Sequence, residues 1–307
     1  MNTKNWLGGL LAVQLALAAG LALNTLRERS VDTSAPLLDF ATTDVDRIVI
    51  DDNASKSTTL ALDGESWELE SLNGLPANQS KTRSLLESLA ALKTTTPVVS
   101  TAAGRERFEV TEDNFQRRLR LYDGEELLGE YYFGTSPGFR RTHGRRADDD
   151  AVYSLSFNNF DLPGDSNDWL EKTLLSSGDA TTIKGPDFEL SLDGDAWTLA
   201  DAADGDAQLD AAKANELVSA LESLRVLRAE DGLPEGERIV IEVATEDASY
   251  HYEFATANDK YYVKRSDLDG AFTISKTDYD RIAGKDRAAL LADPAASTQA
   301  DTDEANA

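Results

Sequence analysis

The sequence predicts an α+β protein: an N-terminal transmembrane helix followed by two tandem related units, each of antiparallel strands with an amphipathic helix and a closing helix. Three observations predict it. An uncharged apolar run opens the chain, a ten-residue motif occurs at residue 60 and again at residue 190, and a leucine stripe at helical spacing follows each copy.

The apolar run extends from Trp6 to Leu23 with Gln14 as its single polar interruption. Eighteen residues at about 1.5 Å rise cover about 27 Å, close to a hydrocarbon core of about 30 Å. With its flank it reads as a signal anchor over 1–30. A cleaved signal peptide is the competing reading, because Ala16-Leu17-Ala18 has the small-x-small form. Both readings export the body. Lys4 and the amino terminus favour a cytoplasmic N-terminus, against Arg27 and Arg29 beyond the run. The expectation is a single pass of the inner membrane, N-in, with the body in the periplasm.

The first unit is placed at 38–176. Leu60-Ala-Leu-Asp-Gly-Glu-Ser-Trp67-Glu-Leu69 alternates apolar and polar residues on both sides of an Asp-Gly pair, the strongest short-range hairpin signal. Leu85, Leu86, Leu89 and Leu92 then mark one helix face. Strand-like runs follow at 118–123, 127–133 and 151–156, and 168–175 reads as the closing helix, with Trp169 as its anchor. The second unit, 180–291, repeats the order. Leu190-Ser-Leu-Asp-Gly-Asp-Ala-Trp197-Thr-Leu199 is its hairpin, and Leu217, Val218, Leu221 and Leu224 are its helix stripe. Strand-like runs at 238–245, 249–254, 260–265 and 271–275 precede a closing helix at 277–291. Trp67 and Trp197 sit at matching positions and read as core anchors rather than ligand platforms. Residues 292–307, small and acidic, read as a disordered tail.

Composition narrows the function. The 307 residues carry 56 acids against 30 bases, a net charge of −26, which repels phosphate backbones and argues against a nucleic-acid partner. No cysteine is present, so disulfides, thiolate metal sites, a cysteine nucleophile and lipidation of an N-terminal cysteine are excluded.

Several segments resemble the bacterial family described as domain of unknown function 4340. They are Val45-Asp-Arg-Ile-Val-Ile50, Ser66-Trp67-Glu-Leu69, Phe108-Glu-Val110, Tyr132-Phe-Gly-Thr-Ser-Pro-Gly-Phe139, Arg145-Arg146-Ala147, Ala151-Val-Tyr153 and Trp169-Leu-Glu-Lys-Thr-Leu-Leu175. The resemblance spans about residues 40 to 290. It implies a membrane-tethered envelope protein encoded near ATP-binding-cassette (ABC) export or gliding-type systems. It carries no catalytic residue with it.

One segment stands apart from the acidic background: Gly134-Thr-Ser-Pro-Gly-Phe-Arg-Arg-Thr-His-Gly-Arg-Arg146. Arg140, Arg141, His143, Arg145 and Arg146 in a glycine- and proline-punctuated loop suggest a site for an anion or an acidic partner. The competing reading pairs these arginines with Asp148, Asp149 and Asp150. His143 and His251 lie in no metal-ligand spacing. Asp201-Ala-Ala-Asp-Gly-Asp206 and Asp267-Leu-Asp-Gly270 lack the glutamate of a calcium loop, so no metal or cofactor is expected. Walker and GxGxxG patterns are absent, and no catalytic residue is assigned. The leading expectation is a non-enzymatic, membrane-tethered accessory or scaffold subunit of an ABC-type transporter or envelope complex. A binding module for a small anionic ligand or glycan stands as the alternative, and a carboxylate-dependent hydrolase is third.

Overall fold

The computed structural model describes residues 34–200 and 208–292. Short strands dominate. In chain order they are β1 (Ala35–Pro36), β2 (Arg47–Asp52), β3 (Ser57–Asp63), β4 (Ser66–Leu69), β5 (Leu75–Pro76) and β6 (Lys93–Thr94). Next come β7 (Arg117–Asp123), β8 (Glu126–Phe133), β9 (Thr142–Arg146), β10 (Tyr153–Leu155), β11 (Thr182–Lys184) and β12 (Glu189–Asp193). The last six are β13 (Ala196–Leu199), β14 (Arg228–Glu230), β15 (Ile239–Ala244), β16 (Ser249–Ala257), β17 (Lys260–Arg265) and β18 (Ala271–Ile274). The α-helices are α1 (Gln79–Ala90), α2 (Ala102–Arg107), α3 (Ala211–Glu222), α4 (Lys276–Ile282) and α5 (Arg287–Leu290).

The α+β expectation is therefore corrected: the protein is mostly β-sheet, with two sheets of eight strands and one of two. Both leucine-striped helices form, but each has only twelve residues. The runs after them keep folding back as antiparallel ladders, because each alternates buried apolar and outward polar side chains. Leu119 and Leu121 on β7, Ile241 and Val243 on β15, and Tyr252 and Phe254 on β16 are fully enclosed. The expected anchor at 6–23 and the tail from 293 on lie outside the described residues. Among the described residues no helix is long and apolar enough to cross a membrane.

Both closing helices are also corrected. Where 168–175 was expected to be helical, a single 3-10 turn, Ser166–Asp168, is capped by the Asp165 carboxylate, and the chain then runs beside 76–78. Asn78 N donates to Trp169 O and Glu171 N to Pro76 O, so the backbone bonds across rather than along. Trp169 and Leu170 are buried without needing a helix. The 277–291 segment is split into α4 and α5, with Gly284 between them.

The chain divides into two compact units: 34–45 with 85–162, and 46–84 with 163–200 and 208–292. This division differs from the one drawn at the repeat, since both copies of the Asp-Gly motif fall in the second unit. Thr58 Oγ1 donates to Gly164 O at 2.8 Å, and Lys56 Nζ meets the Asp165 carboxylate at 2.8 Å, tying residues far apart in sequence. The second unit holds the ladder β2-β3-β4-β5 and the eight-stranded sheet β13-β12-β11-β15-β16-β17-β18-β14. Trp67 is buried there, while Trp197 is only half-buried. The first unit holds the small β1-β6 pair and the run β10-β9-β8-β7. Gly64, Gly124 and Gly194 each take positive φ at the first loop position of a two-residue hairpin, a conformation that costs glycine alone no strain.

Candidate functional site

The arginine-rich segment lies in the first unit, as the end of β8, the connection 134–141 and the whole of β9. Close packing of backbone fixes its base. Gly134 N donates to His143 O and Thr135 N to Phe108 O, and a Cβ on Gly134 would collide with the carbonyl oxygens of Phe108 and Glu109. Glu109 itself takes positive φ there. The connection is then pinched shut: Ser136 Oγ lies 2.6 Å from Arg141 O and 2.8 Å from Gly138 O, and Arg141 N donates to Gly138 O. Arg140, at φ 51°, takes the left-handed turn that a two-sided pinch demands.

The structure separates the five candidate residues rather than gathering them. His143 and Arg145 are buried. The His143 ring lies on Phe108 with centroids 4.0 Å apart, its Nδ1 is 2.9 Å from Thr135 Oγ1, and burial lowers its pKa. Arg145 donates to the carbonyls of Val110, Arg146, Ala147 and Asp149, and its guanidinium covers the Tyr132 ring at 4.9 Å. Burial lowers the Arg145 pKa, yet those carbonyls keep the cation satisfied in place.

Arg146 forms a two-pronged pair with Asp148 at 2.9 Å on both oxygens and reaches Asp39 at 2.9 Å. The Asp148 hydrogen bond is the main cause of its raised pKa, and the pairing lowers that of Asp148. Arg141 spends Nε and Nη2 on the hydroxyl and carbonyl of Ser154, at 2.9 and 2.6 Å. Arg140 is exposed at the tip, its guanidinium 5.5 Å from the centroid of Phe139.

Sequence reasoning missed what the tip displays. Phe139 is 90% exposed and Phe160 84%, the two highest values among the large hydrophobic residues described. Phe160 sits on the 3-10 turn Asn159–Asp161, capped by Asn158. Asn159 Nδ2 donates to Gly134 O at 2.7 Å and to Gln116 Oε1 at 2.9 Å, while Thr142 Oγ1 donates to Phe157 O at 2.9 Å. The feet of both phenylalanines are thus bolted to one frame. A large apolar residue beside Pro and Gly was the signal available for Phe139; nothing in the sequence marks Phe160 as displayed.

Other charged groups are structural. Asp165 is held by Lys56 and Arg228, and hydrogen bonds from these cations and from Asn167 outweigh burial to lower its pKa. Asp267, from one of the calcium-like fragments, grips Arg265 with both oxygens, and the other fragment falls in 201–207, outside the described residues. His251 is exposed, 3.6 Å from Glu242. Among the described residues no group of three or more His, Cys, Asp or Glu is placed to hold a metal ion.

A family model described as Domain of unknown function (DUF4340) matches residues 67–237. No curated protein and no solved structure matches the chain.

Proposed function

The chain belongs to the DUF4340 family, and on that premise we propose that it is a membrane-tethered accessory protein whose exported body docks onto a partner protein through Phe139, Arg140 and Phe160. The observation that carries this reading is the near-complete exposure of two phenylalanines on bases held by side-chain hydrogen bonds. An exposed aromatic ring forgoes about 1.5–3 kcal/mol of burial, and rigid aromatic anchors beside an arginine are what interface cores select. The tether is the apolar run 6–23, and the partner class is an ABC-type transport or envelope complex, following the setting in which the family resemblance places such chains.

The test is mild-detergent purification of the tagged full-length protein from its native membrane, with mass spectrometry of retained proteins. Transporter subunits should remain bound to wild type and be lost from a Phe139→Ser, Arg140→Glu, Phe160→Ser variant with unchanged circular dichroism. Equal recovery from both, or no partner with wild type, overturns the reading.

A further inference from the structure

We propose that an open cavity of the first unit binds a polyol phosphate, either free or as the headgroup of a phospholipid. The cavity holds about 520 Å³, within the range of about 300–1,000 Å³ of small-molecule sites. Two cations, Lys93 and Arg141, and the serines Ser34, Ser88, Ser154 and Ser156 line it, and no carboxylate is among its described lining residues. In a chain with 56 acids, a cavity whose charged lining residues are both cations, beside hydroxyls and the apolar Ala91 and Leu92, is a local reversal of the surface character.

The cations differ in how they are held. Ser154 takes two guanidinium nitrogens of Arg141 and fixes its plane, leaving Nη1 without a hydrogen bond among the described residues. The Lys93 ammonium forms no hydrogen bond or ion pair among them. Lys93 follows the C-terminus of α1, where a cation is favoured by the helix dipole, but that accounts for one charge and not for Arg141, which arrives from a different element. Ser154 on β10 and Ser156 just beyond its end each bring a hydroxyl to the cavity, while Ser88 comes from α1. A planar fork and a point charge suit a phosphate, and the serines suit its neighbouring hydroxyls.

The headgroup source has a specific reason. Ser34 lies eleven positions after Leu23, the end of the apolar run, and eleven extended residues reach at most about 40 Å. That arm rests on the tethered reading above; the free-ligand arm does not.

Full-length protein in an uncharged detergent is titrated calorimetrically with glycerol 3-phosphate, inorganic phosphate and glycerol, and is floated with phosphatidylglycerol or phosphatidylcholine vesicles. Saturable binding of glycerol 3-phosphate, or selective flotation with phosphatidylglycerol, is expected, the two results separating the sources. Lys93→Gln should weaken it at least tenfold and Lys93→Gln with Arg141→Gln should abolish it. Phe139→Ser should leave it intact, which keeps failure here distinct from failure of the docking reading. No saturable binding in either arm, or an equal loss with Lys260→Gln on β17, overturns the proposal.

Discussion

The β8–β9 connection of the first unit and the β16–β17 connection of the second join comparable strands in opposite ways. In the second, β16 runs past Phe254 to Ala257 and returns through Asn258-Asp259, both with positive φ, the tightest hairpin two residues allow. In the first, β8 stops at Phe133, Gly134 is pressed against 108–109, and the seven further residues 135–141 swing out before β9 begins. The buried arginines differ as well. Arg265 lies over Tyr250 at 4.5 Å; burial lowers its pKa, but Asp267 and Tyr252 together outweigh this and leave it raised. Arg145 has no such carboxylate and is lowered by burial, its charge being spread over four carbonyls. The second unit closes its turn in the shortest way; the first displays a longer loop and buries the Arg145 cation on the strand that follows it.

The largest effect expected from this contrast is at the strand ends. Gly134→Ala should cost at least about 4 kcal/mol, since its Cβ meets backbone that cannot yield. Ala255→Gly, one residue after Phe254, should cost only about 1 kcal/mol. Urea unfolding of the two variants measures both, and similar losses would erase the distinction. Next comes the cation. Arg145→Ala removes the donors to four carbonyls, the buried Val110 carbonyl among them, and should cost about 3 kcal/mol, whereas Asp267→Asn, at a half-exposed carboxylate, should cost about 1 kcal/mol.

A smaller effect is set by pH. Because burial lowers the His143 pKa, the unfolded chain binds that proton more readily than the folded one. Its contribution is full above the unfolded value near 6.5 and is lost as pH falls below it, with a slope of at most about 1.4 kcal/mol per pH unit. His143→Phe should flatten the stability curve between pH 7 and 5, and an unchanged slope would remove His143 as its source. Smallest of all, Phe139→Ser should alter stability by less than about 0.5 kcal/mol, since a ring 90% exposed contributes little to folding.

Local signals were legible and assembly was not. The Asp-Gly pairs fix both hairpins, and the leucine stripes fix α1 and α3, with Leu85, Leu89, Leu217 and Leu221 buried. Trp169 to Leu175 has the apolar content of a helix, but Glu171 N donates to Pro76 O and Trp169 O accepts from Asn78 N, pairings which no periodicity reveals. The arginine segment was visible as a chemical anomaly. Its fate was not, because Arg145 finds the carbonyl of Val110, 35 residues earlier, and Asn159 reaches Gly134, 25 residues back. Those pairings turn an apparent basic patch into internal scaffolding and leave the aromatic tip as what is displayed.

The interleaving of the second unit bears on synthesis. Its β3–β4 ribbon ends at Leu69, but Gly164 and Asp165, which bind Thr58 and Lys56, are made about 95 residues later. At about 5–20 residues per second the ribbon waits about 5–20 s for those two partners. During that interval the Thr58 hydroxyl lacks its Gly164 partner and is open to any binder of nascent chains, and the interval closes only when the turn at 164–168 arrives.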